Sequence, residues 1–468
     1  MSISLRMRIF LTFFSAAVAS STLVAVALYI GFLRAAEEGH AAGFLFAGVL
    51  SFFGLLAVST GVWRFFDEYV ARPIEHIASN VRACAHADVK SSIDMHKARF
   101  LGDLAPAVHA VTGHLSKVSD GADQIVAAET SRLMAEKAHL ALLLTEIPVA
   151  IILVSPTNQI MLYDGQAADV LGQVHVPRLS ASIFDYFNEI DLRSGLDQLS
   201  ENRTEVVLEV RGSGGRLSFE LRLKKLHKTP GYMILVDDTH ARIAPEAARP
   251  LIFDFDLSEH ETEHAIENRP IKGLNFVVFD TETTGLMPNK DEIVQVGAVR
   301  VVKGRIVPGE SVNQLANPGR SIPRASTKVH GITDSMVAGA PDVSAVVSGL
   351  HAFARESVLV AHNAPFDMAF LHRHEKTSGL IWDHPLLDTV LLSAVLFGDT
   401  EVHTLDALCE RLDIRIDPDL RHTALGDAQA TAEALCKMLP ILEGKGFETF
   451  GDVIQETRKH GRLLKDLN

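Results

Sequence analysis

Two apolar runs open the chain, Ile9 to Phe32 and Ala41 to Trp63, each long enough to cross a bilayer as a helix. Only Leu33 to His40 separates them, so the pattern predicts an α-hairpin within residues 1–66. Arg6 and Arg8 precede the first run, and Arg64 and Arg72 follow the second. By the positive-inside rule both ends of the hairpin face the cytoplasm, with Arg34 in the short turn as the one opposing sign. A cleaved signal peptide is the rival reading, because Ala16, Ala17 and Ala19 supply small residues. The first run is longer than the apolar part of a usual signal, and a second follows at once.

The rhythm then changes. Over residues 67–135, apolar positions recur at spacings of three and four: Ile74, Ile77, Val81 and Cys84 after the helix-opening Pro73, then Leu104, Val108, Val111, Leu115 and Val118. Two short helices with apolar seams are expected, and such seams call for a partner, which favours a homodimer. Residues 136–238 read as short strands: Ala150 to Val154, Thr204 to Val210, Leu217 to Leu223 and Tyr232 to Val236. Gly212-Ser213-Gly214-Gly215 joins the second and third as a hairpin turn. Residues 239–271 form an acidic, Pro-bearing linker, residues 272–442 the largest α/β segment, and residues 443–468 a helical tail.

Composition fits this order. A chain of 468 residues holds about three domains, and 47% hydrophobic residues with a mean hydropathy of +0.16 agree with membrane segments. Cys84, Cys409 and Cys436 have neither finger nor disulfide spacing, as expected of a reduced compartment. The formal charge of −14 argues against a protein that coats duplex nucleic acid through a broad basic field. It leaves room for an enzyme that grips one strand end.

The chemistry lies in five residues of the last two hundred: Asp280 and Glu282 in Phe-Asp-Thr-Glu-Thr-Thr-Gly, Asp367 in His-Asn-Ala-Pro-Phe-Asp, and His422 with Asp427 in His-Thr-Ala-Leu-Gly-Asp. In-line cleavage of a phosphodiester needs an activated water, a stabilised leaving oxygen and a sink for negative charge. Two divalent cations roughly 3.5–4 Å apart supply all three, and Mg²⁺ or Mn²⁺ choose carboxylate oxygens. The run Leu274 to Phe279 reads as a buried strand, and Asp280 and Glu282, two apart, project from its end on one face. Gly285 is expected to turn the chain, leaving Thr283, Thr284 and Leu286 beside a terminal nucleotide. His422, on the lead-in to a helix carrying Asp427, has the side chain for a general base.

Residues from about Lys272 to Leu442 resemble the DEDDh branch of the DEDD 3′-to-5′ exonucleases, the group that includes the proofreading epsilon subunit of bacterial DNA polymerase III. All three family motifs stand here in order. The resemblance implies an RNase H-like domain with a mixed sheet flanked by helices and two divalent metal ions. It implies that Asp280, Glu282, Asp367 and Asp427 are the metal ligands and His422 the base. It gives Phe366 a place against the terminal base and puts Gly285, His330 and Asn363 at the substrate, His330 within the family-like run Val329 to Thr333. The implied reaction removes nucleoside 5′-monophosphates from single-stranded or frayed DNA 3′ ends. RNA ends, short oligonucleotides, and a scaffold that binds without cutting stay as alternatives.

Two further resemblances concern the front half. The helical seams, with Gly102-Asp103-Leu104-Ala105 like the entry to its second helix, resemble a HAMP module, an ordinary amphipathic pair being the alternative. Leu143 to Leu171, with Glu146-Ile147-Pro148, resembles the opening of a PAS domain, an α+β fold whose ligand nothing in the sequence identifies. The order of segments implies a multi-pass protein of a bacterial-type inner membrane, in contact with lipid, with N-terminus and catalytic domain cytoplasmic and the enzyme open to gating.

Single motifs mean less than the set. An Asp-x-Glu pair by itself is most often a solvated strand end, and Asn363 and Pro365 suit an ordinary turn. His260-Glu261-Thr262-Glu263-His264 matches the zinc-protease string, yet its flanks are charged and it lacks a third ligand, so it reads as solvated linker. Arg320, Arg324, Lys328, His372, Arg373 and Arg421 flank the motifs as candidate phosphate contacts.

Overall fold

The computed structural model describes residues 5–35, 41–87, 108, 149–200, 203–226, 230–236, 252–253 and 265–468. Most of the second helical seam, Gly102 to Ala105, Glu146 to Pro148 and the His260 to His264 string lie outside them. The chain forms two units, Met1–Asp120 and Gly121–Asn468.

In the first unit, α1 (Leu5–Ala35) and α2 (Ala41–Phe66) form an antiparallel pair. Phe10 meets Trp63 edge-on at 5.2 Å, and Phe13 lies 5.8 Å from Phe66. Large side chains such as Leu23, Leu45 and Phe46 point outward, each about 70% exposed. Both helices are long and apolar enough to cross a membrane. A π-helical turn, Asp67–Ala71, then leads into α3 (Arg72–Ala87). Pro73 gives the local reason: its ring cannot tolerate the carbonyl four residues back at normal helical spacing, and a wider turn makes room. Asp67 accepts from Arg72 Nε at 3.1 Å across this turn. Of the first apolar seam, Ile77 is buried on α3.

The second unit begins with a six-stranded antiparallel sheet in the order β3-β4-β5-β1-β2-β6. Its strands are β1 (Ala150–Val154), β2 (Ile160–Tyr163), β3 (Glu205–Arg211), β4 (Ser218–Lys225), β5 (Tyr232–Val236) and β6 (Ile252–Phe253). Burial alternates along β1 and β5, as period-2 sequence requires. Gly212 to Gly215 makes the β3–β4 turn, with Gly212 N–H donating to the Leu217 carbonyl at 2.8 Å and Gly215 at φ +68°. One face is covered by α4 (Gly165–Gly172), capped by Asp164, and α5 (Glu189–Leu196), capped by Asn188.

The remainder builds on a five-stranded mixed sheet, β11-β10-β7-β8-β9. β7 (Asn275–Thr283) pairs antiparallel with β8 (Ile293–Val302) and parallel with β10 (Val358–Ala361). β9 (Arg305–Leu315) pairs with β8, and β11 (Leu386–Asp388) with β10. Every residue of β8 is buried, because α7 (Val343–Ala354) packs against one face of the sheet and α10 (Ala424–Gly444) against the other. In sequence α6 (Arg324–His330) precedes α7, and α8 (Ala364–Arg373) and α9 (Thr389–Phe397) lie between α7 and α10. A last helix, α11 (Phe450–Thr457), packs on α9, and Asn468 exchanges hydrogen bonds with the backbone of Leu386. β7 runs beyond the expected strand end at Phe279, so Asp280 and Glu282 are ladder residues opposite Gly297 and Gln295.

The two sheets share a buried polar contact. Glu310 on β9 is fully buried and accepts from Tyr163 Oη at 2.7 Å and from the Leu179 N–H. Arg300 on β8, also buried, lies 3.4 Å from its other oxygen. Burial acts on all three groups, raising Glu310, lowering Arg300 and holding the Tyr163 phenol far above its usual range. Nearby, buried Arg178 pairs with Asp185 and donates to the Arg355 carbonyl, while Val302 and Val307 enter the core of the six-stranded sheet. Glu310→Gln keeps an oxygen for Tyr163 and Leu179 but strips Arg300 of its counter-charge. We expect it to lower unfolding stability by about 3 kcal/mol, read from denaturant melts; an unchanged midpoint would show that the charge is not needed.

Candidate active site

Two elements converge at one end of β7. Asp280 and Glu282 stand two apart on the same face of that strand. Asp427 comes from the first turn of α10, whose N-cap Thr423 accepts from the Gly426 N–H at 3.1 Å. Helix and strand can approach this closely because β8 has glycine opposite Asp280: a Cβ on Gly297 would lie 2.1 Å from the Ala424 carbonyl carbon. Gln295, two residues earlier, accepts from the Ala424 N–H at 3.2 Å and fastens the helix start to the sheet. Gly426 has a similar role, since a Cβ there would lie 2.0 Å from the Leu420 carbonyl oxygen.

Asp280, Glu282 and Asp427 each bring a ligand oxygen within 4.8 Å of the others. Asp367, on α8, stands outside that trio, because its Oδ1 is held by the Thr281 N–H at 3.0 Å and Thr281 Oγ1 at 2.6 Å. Its charge is still felt there. Burial first, then the Asp367 carboxylate, pushes Asp280 well above the usual carboxylate range. Burial and then Asp427 raise Glu282 to about 8, and burial raises Asp367 to about 7. Oxygen donors that repel one another in a desolvated pocket suit a hard divalent cation, so these residues fit Mg²⁺ or Mn²⁺.

His422 lies at the rim, exposed, with its backbone at φ +62°. Its Nδ1 is 3.4 Å from Arg421 Nη1, and its N–H points at Asp427 Oδ1, also at 3.4 Å. The left-handed backbone turns the imidazole out of the helix that follows.

The other sequence candidates are held in different ways. Thr283 Oγ1 donates to the Gly285 carbonyl at 2.7 Å. Thr284 is buried, its hydroxyl on Asp291 and its carbonyl on Ser326 Oγ, so both threonines shape the turn. Gly285 is there for closeness, its φ lying outside the left-handed region: a Cβ would lie 2.5 Å from Asp291 Oδ2. Leu286 is 81% exposed at the tip of that turn. His330 is buried and kept neutral by burial, accepting from the Ile332 N–H at 3.0 Å. Asn363, at φ +70°, opens α8, while Phe366 is half-buried with its edge against Phe370.

Sequence reasoning missed the residues that hold this site together. Asp388 is buried and accepts from Ala364 N–H and Val390 N–H, each at 2.7 Å, thereby capping α9 and anchoring the start of the Asp367 helix. Burial raises it to about 6. An acid ending the apolar run Leu386-Leu387 was the signal for it. Gly297 and Gln295 gave no such signal, because their partners lie more than a hundred residues away. Arg421, read as a phosphate contact, is bound to Asp427 and Asp406.

An exonuclease family profile (RNase_T) matches residues 277–435. A "DNA polymerase III subunit epsilon-like protein" of Rhodobacter capsulatus is 31% identical, over 100% of this chain and 99% of the relative. DNA polymerase III PolC-type of Caldanaerobacter subterraneus subsp. tengcongensis is 39% identical over 178 residues, 38% of this chain, which spans only 12% of that relative's length. Among solved structures, Exonuclease X in complex with 5′ overhanging duplex DNA is 28% identical over 39% of this chain and 99% of its own, with a TM-score of 0.32.

The raised carboxylates give a signed pH dependence. The folded chain keeps protons on Glu282 and Asp367 that the unfolded chain releases near pH 4, so their contribution to stability is full below that pH. It is lost as pH rises through about 7 and 8. We expect the melting temperature of EDTA-treated protein to fall between pH 5 and 8.5, and saturating Mn²⁺ to restore most of the loss at the upper end. A metal-independent, flat profile would contradict the assignment.

Proposed function

Because the chain belongs to the family of DNA polymerase III subunit epsilon-like proteins and carries an exonuclease domain, we propose that it is a membrane-held, metal-dependent 3′-to-5′ exonuclease of the DEDDh type acting on single-stranded or frayed DNA ends. The observation that carries this reading is the convergence of Asp280, Glu282 and Asp427 within 4.8 Å beside Asp367. DNA is preferred over RNA because the PolC-type relative, 39% identical over this domain, is by name a DNA polymerase.

Two divalent cations, when bound, supply Lewis-acid stabilisation of the attacking and leaving oxygens. Asp280, Glu282 and Asp427 would hold them from strand and helix, and Asp367 would join from α8 through the oxygen that Thr281 leaves free. His422 takes a proton from the attacking water at Nε2, since Nδ1 faces Arg421. Its exposure lets water and a strand end reach it. Leu286 at the turn tip and Phe366 on α8 offer apolar surface to the terminal base, and Asn363 and His330 border the same end of the sheet.

α1 and α2 then act as a membrane hairpin with both ends cytoplasmic, and α3 as the first helix of a HAMP-like segment in a homodimer. The six-stranded domain is read as PAS-like and its packing against β8 and β9 as the route by which a signal reaches the nuclease. If the hairpin reading is right, the full chain floats with lipid vesicles after an alkaline wash, and protease added outside right-side-out spheroplasts leaves residues 265–468 intact. Cleavage there would reverse the topology.

The reaction is tested with the full chain in lipid, offered end-labelled single-stranded DNA, RNA and dinucleotides with Mg²⁺ or Mn²⁺. Wild type should release 5′-monophosphates one at a time from DNA 3′ ends, while Asp280→Ala reduces the rate at least 10³-fold and His422→Ala about 10²–10³-fold. Preferential digestion of RNA or dinucleotides would move the substrate, and binding without cleavage would make the chain a scaffold.

A further inference from the structure

One cation is built into the acidic site. Arg421 lies on the turn before α10, pinned because its N–H donates to the Asp417 carbonyl and Thr423 Oγ1 donates to the Leu420 carbonyl at 2.6 Å. Its side chain is 20% exposed and held at both ends. Nε donates to Asp406 Oδ1 at 2.8 Å, and Nη1 donates to both oxygens of Asp427, at 2.6 and 2.5 Å. A single donor shared by the two oxygens of a carboxylate sits on their bisector, the direction from which a chelating cation also approaches. The same guanidinium charge opposes the upward shifts of Asp280 and Glu282. Asp406 differs from Asp427 in being 70% exposed, so it can keep hold of Nε without belonging to the buried cluster.

We propose that Arg421 is an internal counter-ion latch: it neutralises Asp427, is displaced from that carboxylate when a divalent cation loads, and so sets the metal affinity of the site. Two positive groups cannot both sit close to one carboxylate without repelling each other, and the divalent ion carries more charge. The displaced guanidinium stays tethered through Asp406 and keeps Nη1 and Nη2 beside His422. There it can meet a phosphate oxygen of the bound strand, for which a planar fork of donors is well suited. Release of the latch is thereby tied to metal loading, and the freed arm serves substrate binding. The inference rests on the reading of the site as a metal-dependent nuclease.

Calorimetric Mn²⁺ titration of the full chain in lipid, without substrate, separates the two readings. We expect Arg421→Gln to bind Mn²⁺ about tenfold more tightly than wild type, and Arg421→Lys, which keeps the charge, to stay within about threefold. Circular dichroism checks that each variant is folded. In the presence of substrate, Arg421→Gln should also raise KM for single-stranded DNA. Unchanged or weaker Mn²⁺ binding by folded Arg421→Gln overturns the latch, as does equal tightening by the lysine variant. Wild-type protein that binds no Mn²⁺ at all overturns the metal-dependent reading as well, whereas a wild type that binds Mn²⁺ with an affinity indifferent to residue 421 leaves that reading standing and removes only the latch.

Discussion

Burial of carboxylates that also repel one another is the constraint on which this site is organised. Asp280, Glu282, Asp367 and Asp427 are drawn together where water is scarce, and Asp280 and Glu282 take up protons rather than share the space as anions. A fold that gathers like charges must hold them with something other than their own attraction. Here the apolar sheet does so. β7 lies between β8 and β10, its core side chains fully buried, so the strand end that presents Asp280 and Glu282 cannot move away. The opposing wall comes from α10, seated on Gly297 and tied to Gln295.

The acids around the site divide the work by where their hydrogen bonds go. Asp388 accepts from three backbone donors and is spent on holding helices. Asp367 is half spent, one oxygen on Thr281. The trio keeps its oxygens turned to a common point, with Arg421 on both oxygens of Asp427. Charge, burial and partners thus rank five similar side chains into a structural cap, an intermediate and a cation-binding core. The basic residues sort in the same way: Arg373 is on the Pro288 and Asp291 carbonyls and on Glu292, away from any role as a loose phosphate contact.

The six-stranded domain belongs physically to the nuclease. Tyr163, Leu179 and Glu310 meet across a boundary where Val302 and Val307 leave one sheet to complete the core of the other. Cutting the chain near residue 270 would therefore expose a buried carboxylate and a buried arginine, so a change of rate after such a cut would report lost packing.

Much of this was legible in sequence because it depends on near neighbours. The two apolar runs, the alternation in β1 and β5, the glycine turn between β3 and β4, and the Asp-x-Glu spacing on a strand all follow from periods of 3.6 and 2 and from turn chemistry. The same local rules failed where a residue answers to a distant one. Gly285 looked like a turn glycine and also lies close against the Asp291 carboxylate; Thr283 and Thr284 looked free for substrate and hydrogen-bond within their own turn. Gly297, Gln295, Glu310 and the attachment of Arg421 to Asp427 were invisible, since only packing decides which helix start lies on which strand and which charge faces which. The sequence by itself determined the chemical types and their local order. Tertiary structure decided which of those groups share a pocket, because burial and opposing charges act through space and carry no mark along the chain.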